Sequence, residues 1–265
     1  MSTTQDHLGF LTLLGTGTSV GVPCLGCECA VCTGGHPRNQ RTRSSAILGL
    51  EQGNLLIDTP PDLRMQLLRE NIKLVHAVLY THEHADHLHG LDDVRLFPFK
   101  LGRPIPIYAS EVVENRIRRV FDYAFDQREP THAGAVPSMQ MVRIDDRPIE
   151  ILGAKLTPIP LVHGPYCRVY GYRIGNVAYC TDTNRIEASS MSLLEGLDVL
   201  VLDALRLSSH ATHFSVGEAL DIIEQLGPKR AYLTHLSHEL DYTTFHRQLP
   251  EHVALAYDGL RIPLT

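Results

Sequence analysis

The sequence contains no apolar run that approaches the roughly 20 residues of a membrane-spanning helix. Its first residues also lack the basic segment and long apolar stretch of a secretory signal peptide. These two absences predict a cytoplasmic protein with no membrane partner. No repeat, low-complexity tract or clear linker divides the chain, so we expect one domain over residues 1–265.

An excess of basic residues is missing as well. The 24 Lys and Arg are outnumbered by 30 Asp and Glu, which gives a net charge of -6. Proteins that grip nucleic acid through its phosphates are usually basic, so we expect no stable nucleic-acid partner. A nucleotide or another small phosphodiester stays open as a substrate, because bound metal ions would supply local positive charge.

Apolar periodicity predicts alternating strands and helices. We expect helices at 61–71, from His87 towards Phe97, at 111–123, and after a capping-box pattern that begins at Ser215. The predicted strands are 10–14, 45–50, 54–57, 77–81, 104–108, 149–159, 169–174, 177–180, 197–202 and 231–233.

Residues 82–87 read His-Glu-His-Ala-Asp-His and follow the apolar run 77–81. Imidazole nitrogen and carboxylate oxygen are ligands that zinc, manganese and iron accept. Three further residues of these types lie just past other strand-like runs. If the strand ends converge, the ligands number seven, which suits two ions that share a bridging carboxylate: His82, His84, Asp86, His87, His163, Asp182 and His235.

Four of the six cysteines lie close together in the sequence: Cys24, Cys27, Cys29 and Cys32. In a reducing compartment, such a cluster indicates a metal site before a disulfide. The remaining two, Cys167 and Cys180, are isolated and are predicted to be small core residues.

The pattern His-x-His-x-Asp-His, followed by a strand-end His, a strand-end Asp and another His, resembles the metallo-β-lactamase fold hydrolases. Asp58, after the apolar residues 55–57, matches the structural aspartate of that family. The resemblance implies an α/β (α+β) fold, an αββα four-layer sandwich of two mixed β-sheets flanked by helices, with metals at one sheet edge. We assign one ion to His82, His84 and His163 and the other to Asp86, His87 and His235, with Asp182 as the bridge.

Residues 15–23, GTGTSVGVP, and 26–32, GCECAVC, resemble the PhnP-type phosphodiesterases, which open cyclic phosphates of ribose. This resemblance implies a structural zinc in a cysteine-rich loop at about 24–36, held by Cys27, Cys29, Cys32 and His238. Three cysteines and one histidine also form a closed tetrahedral zinc set on chemical grounds. The resemblance gives Cys24 no role.

The same resemblance implies a catalytic histidine outside the ligand set. His213 occupies the matching place, as the acid that protonates the leaving oxygen, and His210 is its rival three residues earlier. Asp86 is expected to take part in catalysis as well as metal binding. Asp203, at the end of a strand, either orients a ligand or caps the next segment. Arg38, Arg41 and Arg43 form a short basic run, for which contact with a substrate phosphate is an alternative to our interpretation as a solvated face.

These observations predict a metal-dependent phosphodiesterase with two active-site zinc, manganese or iron ions and one structural zinc. Small cyclic phosphodiesters, such as ribose or nucleotide cyclic phosphates, are the expected substrates, and the family suggests a homodimer. A tRNase Z-like nuclease is an alternative, although the sequence shows no inserted basic arm for gripping tRNA. The others are a lactone or thioester hydrolase on the same metal core, and a non-catalytic scaffold, which would usually have lost metal ligands.

Overall fold

The computed structural model describes residues 7–125, 132 and 135–264, in which fourteen strands form two sheets of seven. The strands of the first sheet are, in spatial order, β14 Leu260–Pro263, β1 Phe10–Gly15, β2 Ser45–Leu50, β3 Gly53–Ile57, β4 Ala77–Leu79, β5 Ile105–Ala109 and β6 Met139–Arg143. Those of the second sheet are β13 Val253–Leu255, β12 Arg230–Thr234, β11 Val199–Asp203, β10 Val177–Cys180, β9 Cys167–Ile174, β8 Ala154–His163 and β7 Ile149–Ile151.

The helices are short. They are α1 Ala30–Thr33, α2 Leu63–Arg69, α3 Ala85–Leu88, α4 Leu96–Leu101, α5 Glu111–Val120, α6 Ala188–Met191, α7 Val216–Leu226 and α8 Tyr242–Phe245, with 3-10 turns at Pro37–Asn39, Leu91–Arg95, Asp122–Phe125, Ser192–Leu194 and His246–Gln248. None of the helices in the described part of the chain has the length and apolar character that crossing a bilayer would require.

The two sheets pack face to face, and helices cover their outer faces. Successive strand residues alternate between two cores, because side chains point to opposite faces of a sheet. In β4, Ala77 and Leu79 pack between the sheets, whereas Val78 packs under the helices of the first sheet. In β10, Tyr179 packs between the sheets and Ala178 under the helices of the second. The predicted αββα four-layer sandwich is therefore confirmed.

Strand direction brings the important strand ends to common edges. Strands β3 to β6 are parallel to one another, and so are β10 to β13. Strand β8 runs in the same direction as β10, because both are antiparallel to β9. The residues that follow β8, β10 and β12 consequently meet at one edge of the second sheet.

Two predicted elements are wrong in their extent. The helix expected from His87 towards Phe97 is divided into α3, a 3-10 turn and α4, because Gly90 packs against the backbone at Pro60 and its N–H donates to the Thr59 carbonyl. The strand expected at 149–159 is a hairpin of β7 and β8. It turns at Leu152 and Gly153, whose φ angles are 50° and 80°.

Helix α7 follows its sequence signals closely. The Ser215 hydroxyl accepts from the Glu218 N–H while the Glu218 carboxylate accepts from the Ser215 N–H, so the predicted capping box is confirmed. Gly227 ends the helix in the left-handed conformation. The helix buries Ala219 and Ile223 against the second sheet.

The close approach at Gly90 predicts opposite effects of two Gly→Ala substitutions. A Cβ at Gly90 would lie 2.0 Å from the Pro60 carbonyl oxygen, whereas a Cβ at Gly217 would meet nothing within 4 Å. We expect Gly90→Ala to lower the free energy of unfolding by roughly 1–3 kcal/mol or more, the usual cost of overpacking. The control, Gly217→Ala in α7, is expected to raise it by about 0.5 kcal/mol. Urea titration of both variants measures this, and equal effects would contradict the packing argument.

Candidate metal centre

Three residues at the site have a backbone conformation that is rare for side chains other than glycine. Asp58, Asp182 and His235 have φ angles of 62°, 56° and 58°. Each lies one or two residues beyond the end of a strand, β3, β10 or β12 respectively. Such left-handed residues cost of order 1–3 kcal/mol and persist where surrounding contacts enforce them. Here the conformation turns the chain sharply at the strand end and keeps all three side chains buried.

Three histidines form the first half of the centre. The ring centroids of His82 and His84 are 4.5 Å apart, and the ring centroid of His163 lies 5.6 Å from the first and 5.0 Å from the second. One nitrogen of each ring lies within 4.8 Å of the others. The structure thus brings together the three residues predicted to share one ion.

Asp182 lies between this half and the other. Its carboxylate groups with His82 and His87, and again with Asp86 and His235, within the same 4.8 Å limit. Its Oδ2 atom is 3.2 Å from Nε2 of His87. All seven predicted ligands are therefore brought together, and Asp182 has the central place expected of a bridge. Their roles as ligands stay a prediction.

Unpaired nitrogen atoms show that this donor set fits divalent cations. The Nε2 atoms of His82 and His235 are buried and have no hydrogen-bond partner among the described residues. Nε2 of His87 makes no well-aligned hydrogen bond either, but it faces the carboxylates of Asp182 and Asp86 at 3.2 and 3.3 Å. Leaving a buried polar atom unsatisfied costs about 1–3 kcal/mol. A cation held by these lone pairs and by the neighbouring carboxylates would remove that cost, since neutral imidazole and ionised carboxylate are the ligand forms.

Burial and charge set the protonation of the centre. Burial lowers the pKa of His163, lowers that of His235 to about 3 and lowers that of His82 well below its usual value, so these rings are neutral at pH 7. Burial acts in the same direction on His87, but the carboxylates of Asp182, Asp86 and Asp58 raise its pKa well above normal. The carboxylates thus favour positive charge at the position of Nε2, which a metal ion would also supply.

Asp58 holds His87 in place from behind. Its Oδ2 accepts a hydrogen bond of 2.7 Å from Nδ1 of His87, and its two oxygens also accept from the N–H and the hydroxyl of Thr81. These bonds fix the ring orientation and leave Nε2 directed at the cluster, as partners behind metal-bound histidines commonly do. Asp58 therefore has the contacts that a structural aspartate requires.

Three partners of the histidines were missed from sequence. The Ser44 hydroxyl lies 3.1 Å from Nδ1 of His235, the Thr212 carbonyl accepts from Nδ1 of His163 at 2.6 Å, and the Thr81 hydroxyl lies 2.9 Å from Nδ1 of His82. Thr81 could have been found from its place beside the hexapeptide. Nothing in the sequence signals Ser44, which is 191 positions from its partner, or a backbone carbonyl.

His213 lies against the cluster without belonging to the seven. Its ring centroid is 4.6 Å from those of His163 and His235. Asp203 is fully buried and accepts from Nδ1 of His213 at 2.7 Å, which answers the question left open for Asp203: it orients the candidate acid rather than a ligand. His210 instead accepts a hydrogen bond from the Thr212 N–H, and its ring contact is to His213.

The predicted zinc ligands of the cysteine loop also meet. Nδ1 of His238 lies 3.3 Å from Sγ of both Cys27 and Cys29, and Cys32 completes a group within 4.8 Å. The hydrogen bond from His238 lowers the pKa of Cys29 to about 6, whereas burial raises that of Cys32 to about 12. Cys24 stands outside this group and donates its thiol proton to the Gly21 carbonyl.

The basic run is solvated only in part, because Arg38 is exposed, Arg43 is half-buried and Arg41 is buried. Arg41 is 1% exposed, and its guanidinium donates to the carbonyls of Ser237 and Leu240. Arg43 pairs with Asp62 at 3.0 Å. The interpretation was wrong for Arg41 because the irregular 237–240 segment has carbonyl groups that need buried donors.

Known proteins resemble this chain in sequence and in fold. The family model of the β-lactamase superfamily domain matches residues 53–236. A solved diphosphatase of the PhnP family is 44% identical and has a TM-score of 0.89, and the match covers 96% of each chain. The chain belongs to the PhnP family of the β-lactamase superfamily. The resemblance inferred from residues 15–32 and from the histidine pattern is thereby confirmed.

Other relatives of this PhnP-family chain are more distant or longer. An octanoyltransferase of Porphyromonas gingivalis is 36% identical over 94% of this chain and 50% of its own length. A coenzyme PQQ synthesis protein B of Methylorubrum populi is 29% identical over 57% of this chain and 52% of its own. The chain thus spans about half the length of these two curated relatives. Zinc-bound PqqB from Methylobacterium extorquens shares the fold, with a TM-score of 0.77 at 21% identity over 96% of this chain and all of its own.

The Asp58–His87 contact predicts how metal retention depends on a residue that touches no ion. Asp58→Ala removes the acceptor of Nδ1 of His87, so we expect metal affinity at the His/Asp centre to fall roughly 10- to 100-fold. The measurement is competition of reconstituted protein with a chelator. The control is Asp62→Ala, a half-buried carboxylate four residues away that pairs with Arg43. Equal metal retention in both variants would refute the role of Asp58.

The loop that contains both His235 and His238 predicts coupling between the two clusters. Cys29→Ser should reduce bound zinc and also lower turnover, because the freed His238 loosens the segment that positions His235. Cys24→Ser is the matched control, since Cys24 lies in the same loop outside the group. Elemental analysis and turnover are measured on both. Unchanged metal loading and turnover in Cys29→Ser would show that the clusters are independent.

Proposed function

We propose that this chain is a two-metal phosphodiesterase that cleaves small phosphodiesters, cyclic phosphates of ribose or nucleotides in particular. The observation that carries the proposal is the Asp203–His213 pair, an oriented proton donor beside seven candidate ligands. Metal-dependent hydrolysis needs only the ligands when the leaving group departs easily. A proton donor in addition favours substrates whose leaving group is an alkoxide.

The residues of the site have different roles in the proposed reaction. Bound ions would supply Lewis acidity to the phosphoryl group and lower the pKa of the attacking water. Asp58, Ser44 and the Thr212 carbonyl orient imidazoles from behind. His213 gives a proton to the leaving oxygen. Zinc, manganese and iron all suit the His/Asp donors, and zinc suits the Cys3His group.

Asp203 prepares His213 for this role. Burial lowers the pKa of His213, but the carboxylate of Asp203 outweighs it, so that the pKa is raised overall. The carboxylate of Asp203 thus favours the protonated form of the ring, which is the form that an acid needs. Asp203 itself is held by the Thr183 N–H at 2.7 Å, which fixes the direction of the pair. Among the described residues, no hydrogen bond occupies Nε2 of His213, so that nitrogen can reach a substrate.

Hydrolysis of a diphosphate linkage is a second candidate, because the 44% identical neighbour is a diphosphatase. A phosphate leaves with far less need of a proton than an alkoxide does, so the two candidates differ in their dependence on His213. The tRNase Z-like alternative has weaker support: the human short-form tRNase Z is 18% identical, with a TM-score of 0.68 over 97% of this chain and 99% of its own, a likeness of fold.

The proposal predicts that the cost of losing His213 depends on the leaving group. His213→Ala should cut turnover of a ribose 1,2-cyclic phosphate roughly 10²- to 10⁴-fold, the usual size of acid catalysis. An aryl phosphodiester with a nitrophenolate leaving group should be affected much less, since it departs without a proton. Metal content should not change. His210→Ala is the control and should affect both substrates little.

The substrate panel separates the candidates. Wild-type protein reconstituted with zinc or manganese is assayed on the ribose cyclic phosphate, a 2′,3′-cyclic nucleotide, a nucleoside diphosphate derivative, a lactone, a thioester and a precursor tRNA. The proposal requires the cyclic phosphates to give the highest kcat/KM. Preference for the diphosphate with no effect of His213→Ala would favour the second candidate, and cleavage of the lactone, thioester or tRNA alone would overturn both.

A further inference from the structure

A cavity lies away from the metal centre. It has a volume of about 500 Å³ and is bounded by α2 with the residues that follow it and by the segment from Asp93 to Lys100. None of the candidate ligands lines it. Small-molecule sites usually have volumes of about 300–1,000 Å³, so the cavity is large enough for a ligand of its own.

The floor of the cavity is apolar. Leu67, Ile72 and Phe97 are buried beneath it in the core of the first sheet. Leu68 and Leu96 line it while remaining 61% and 57% exposed. Large apolar side chains that stay exposed around a concave surface mark binding sites more often than isolated ones do. The floor therefore suits an apolar group of a ligand.

The rim carries positive charge, although the chain as a whole is acidic at -6. Its four cations are Arg64, Lys73, Arg95 and Lys100, against a single carboxylate, Asp93. Arg95 pairs with Asp92 at 3.1 Å, and Lys100 donates to the Lys73 carbonyl. Arg64 and Lys73 are not among the ion-paired cations of the described residues, although the charge of Arg64 also acts on the neighbouring Asp93 carboxylate. The four cations of the rim still outnumber its one carboxylate, so the rim favours an anion.

Charge disfavours a second copy of the chain as the occupant of this cavity. A symmetric dimer through this face would bring the two cationic rims together, and like charges facing each other across an interface cost several kcal/mol. A polyanion such as nucleic acid would satisfy the rim but leave the apolar floor without a partner. An occupant must combine one anionic group with an apolar body.

We propose that this cavity is a binding site for a small amphiphilic anion, an acyl, alkyl or aryl group that ends in a carboxylate, sulfonate or phosphate. The apolar body would lie on Leu68 and Leu96, and the anionic group between Arg64 and Lys73. The site is separate from the metal centre, so the proposal does not depend on which bond the enzyme cleaves.

Anilinonaphthalene sulfonate, an aromatic sulfonate whose fluorescence rises on binding, tests the proposal on the full metal-loaded chain. A sulfonate is chosen because it is a weak metal ligand and so does not report on the His/Asp centre. Saturable binding of one equivalent is expected, with displacement by octanesulfonate and by octanoate but not by octanol. Binding that octanol displaces equally well, or no saturable binding, would overturn the proposal.

Charge-reversal variants locate the site. Lys73→Glu and Arg64→Glu should each weaken binding about tenfold, the effect of roughly one lost charge-assisted contact. Arg119→Glu is the matched control, an exposed cation on α5 that does not line the cavity. Unchanged circular dichroism and metal content would show that the variants are folded. Equal weakening by Arg119→Glu, or none by Lys73→Glu and Arg64→Glu, would place the probe elsewhere and refute the assignment.

Discussion

The burial of the Asp182 carboxylate is the constraint on which the rest of the site depends. An ionised carboxylate that is 2% exposed is very costly unless positive charge surrounds it. His87, whose pKa the neighbouring carboxylates raise well above normal, lies 3.2 Å from this group, and further imidazoles from both sheets adjoin it. Asp86 adds a second negative charge, which bound cations would offset. No single segment can supply such surroundings, so the site exists only where several strand ends converge. The sandwich provides that convergence, because the relevant strands of the second sheet run in one direction.

The residues behind the ligands explain how the histidine rings hold their orientation. Asp58 and the Thr212 carbonyl each accept from Nδ1 of a histidine and leave its Nε2 for the cluster. Nδ1 of His235 lies near both the Ser44 hydroxyl, at 3.1 Å, and Oδ2 of Asp182, at 3.3 Å. Asp203 likewise accepts from Nδ1 of His213, but the His213 ring lies beside the seven candidate ligands and is not one of them. The same arrangement, a ring fixed from behind, thus holds the candidate metal ligands in one place and the candidate acid in another. The difference lies only in what the free nitrogen faces.

Much of this could be predicted from the sequence, for reasons that can be stated. The hexapeptide at 82–87 and the strand-end residues are local patterns, and the capping box at Ser215 is complete within four residues. The predictions that failed concern contacts between residues that are far apart in the sequence. Gly90 ends a helix because of a backbone oxygen at Pro60, thirty positions earlier. Arg41 is buried because carbonyl groups about 200 positions away need donors. No periodicity or spacing contains that information.

The segment that follows β12 joins the two clusters into one structural unit. His235 belongs to the His/Asp centre and His238 to the Cys3His group. The two residues are only three positions apart, so the segment between them fixes the relative position of the two groups. The segment has no regular hydrogen bonding of its own, and Arg41 supplies the missing donors at Ser237 and Leu240. At the other end, the Leu236 N–H donates to the Thr16 carbonyl. A closed Cys3His zinc group at this point would therefore anchor a candidate ligand of the His/Asp centre, which gives a structural reason for the closeness of the two groups.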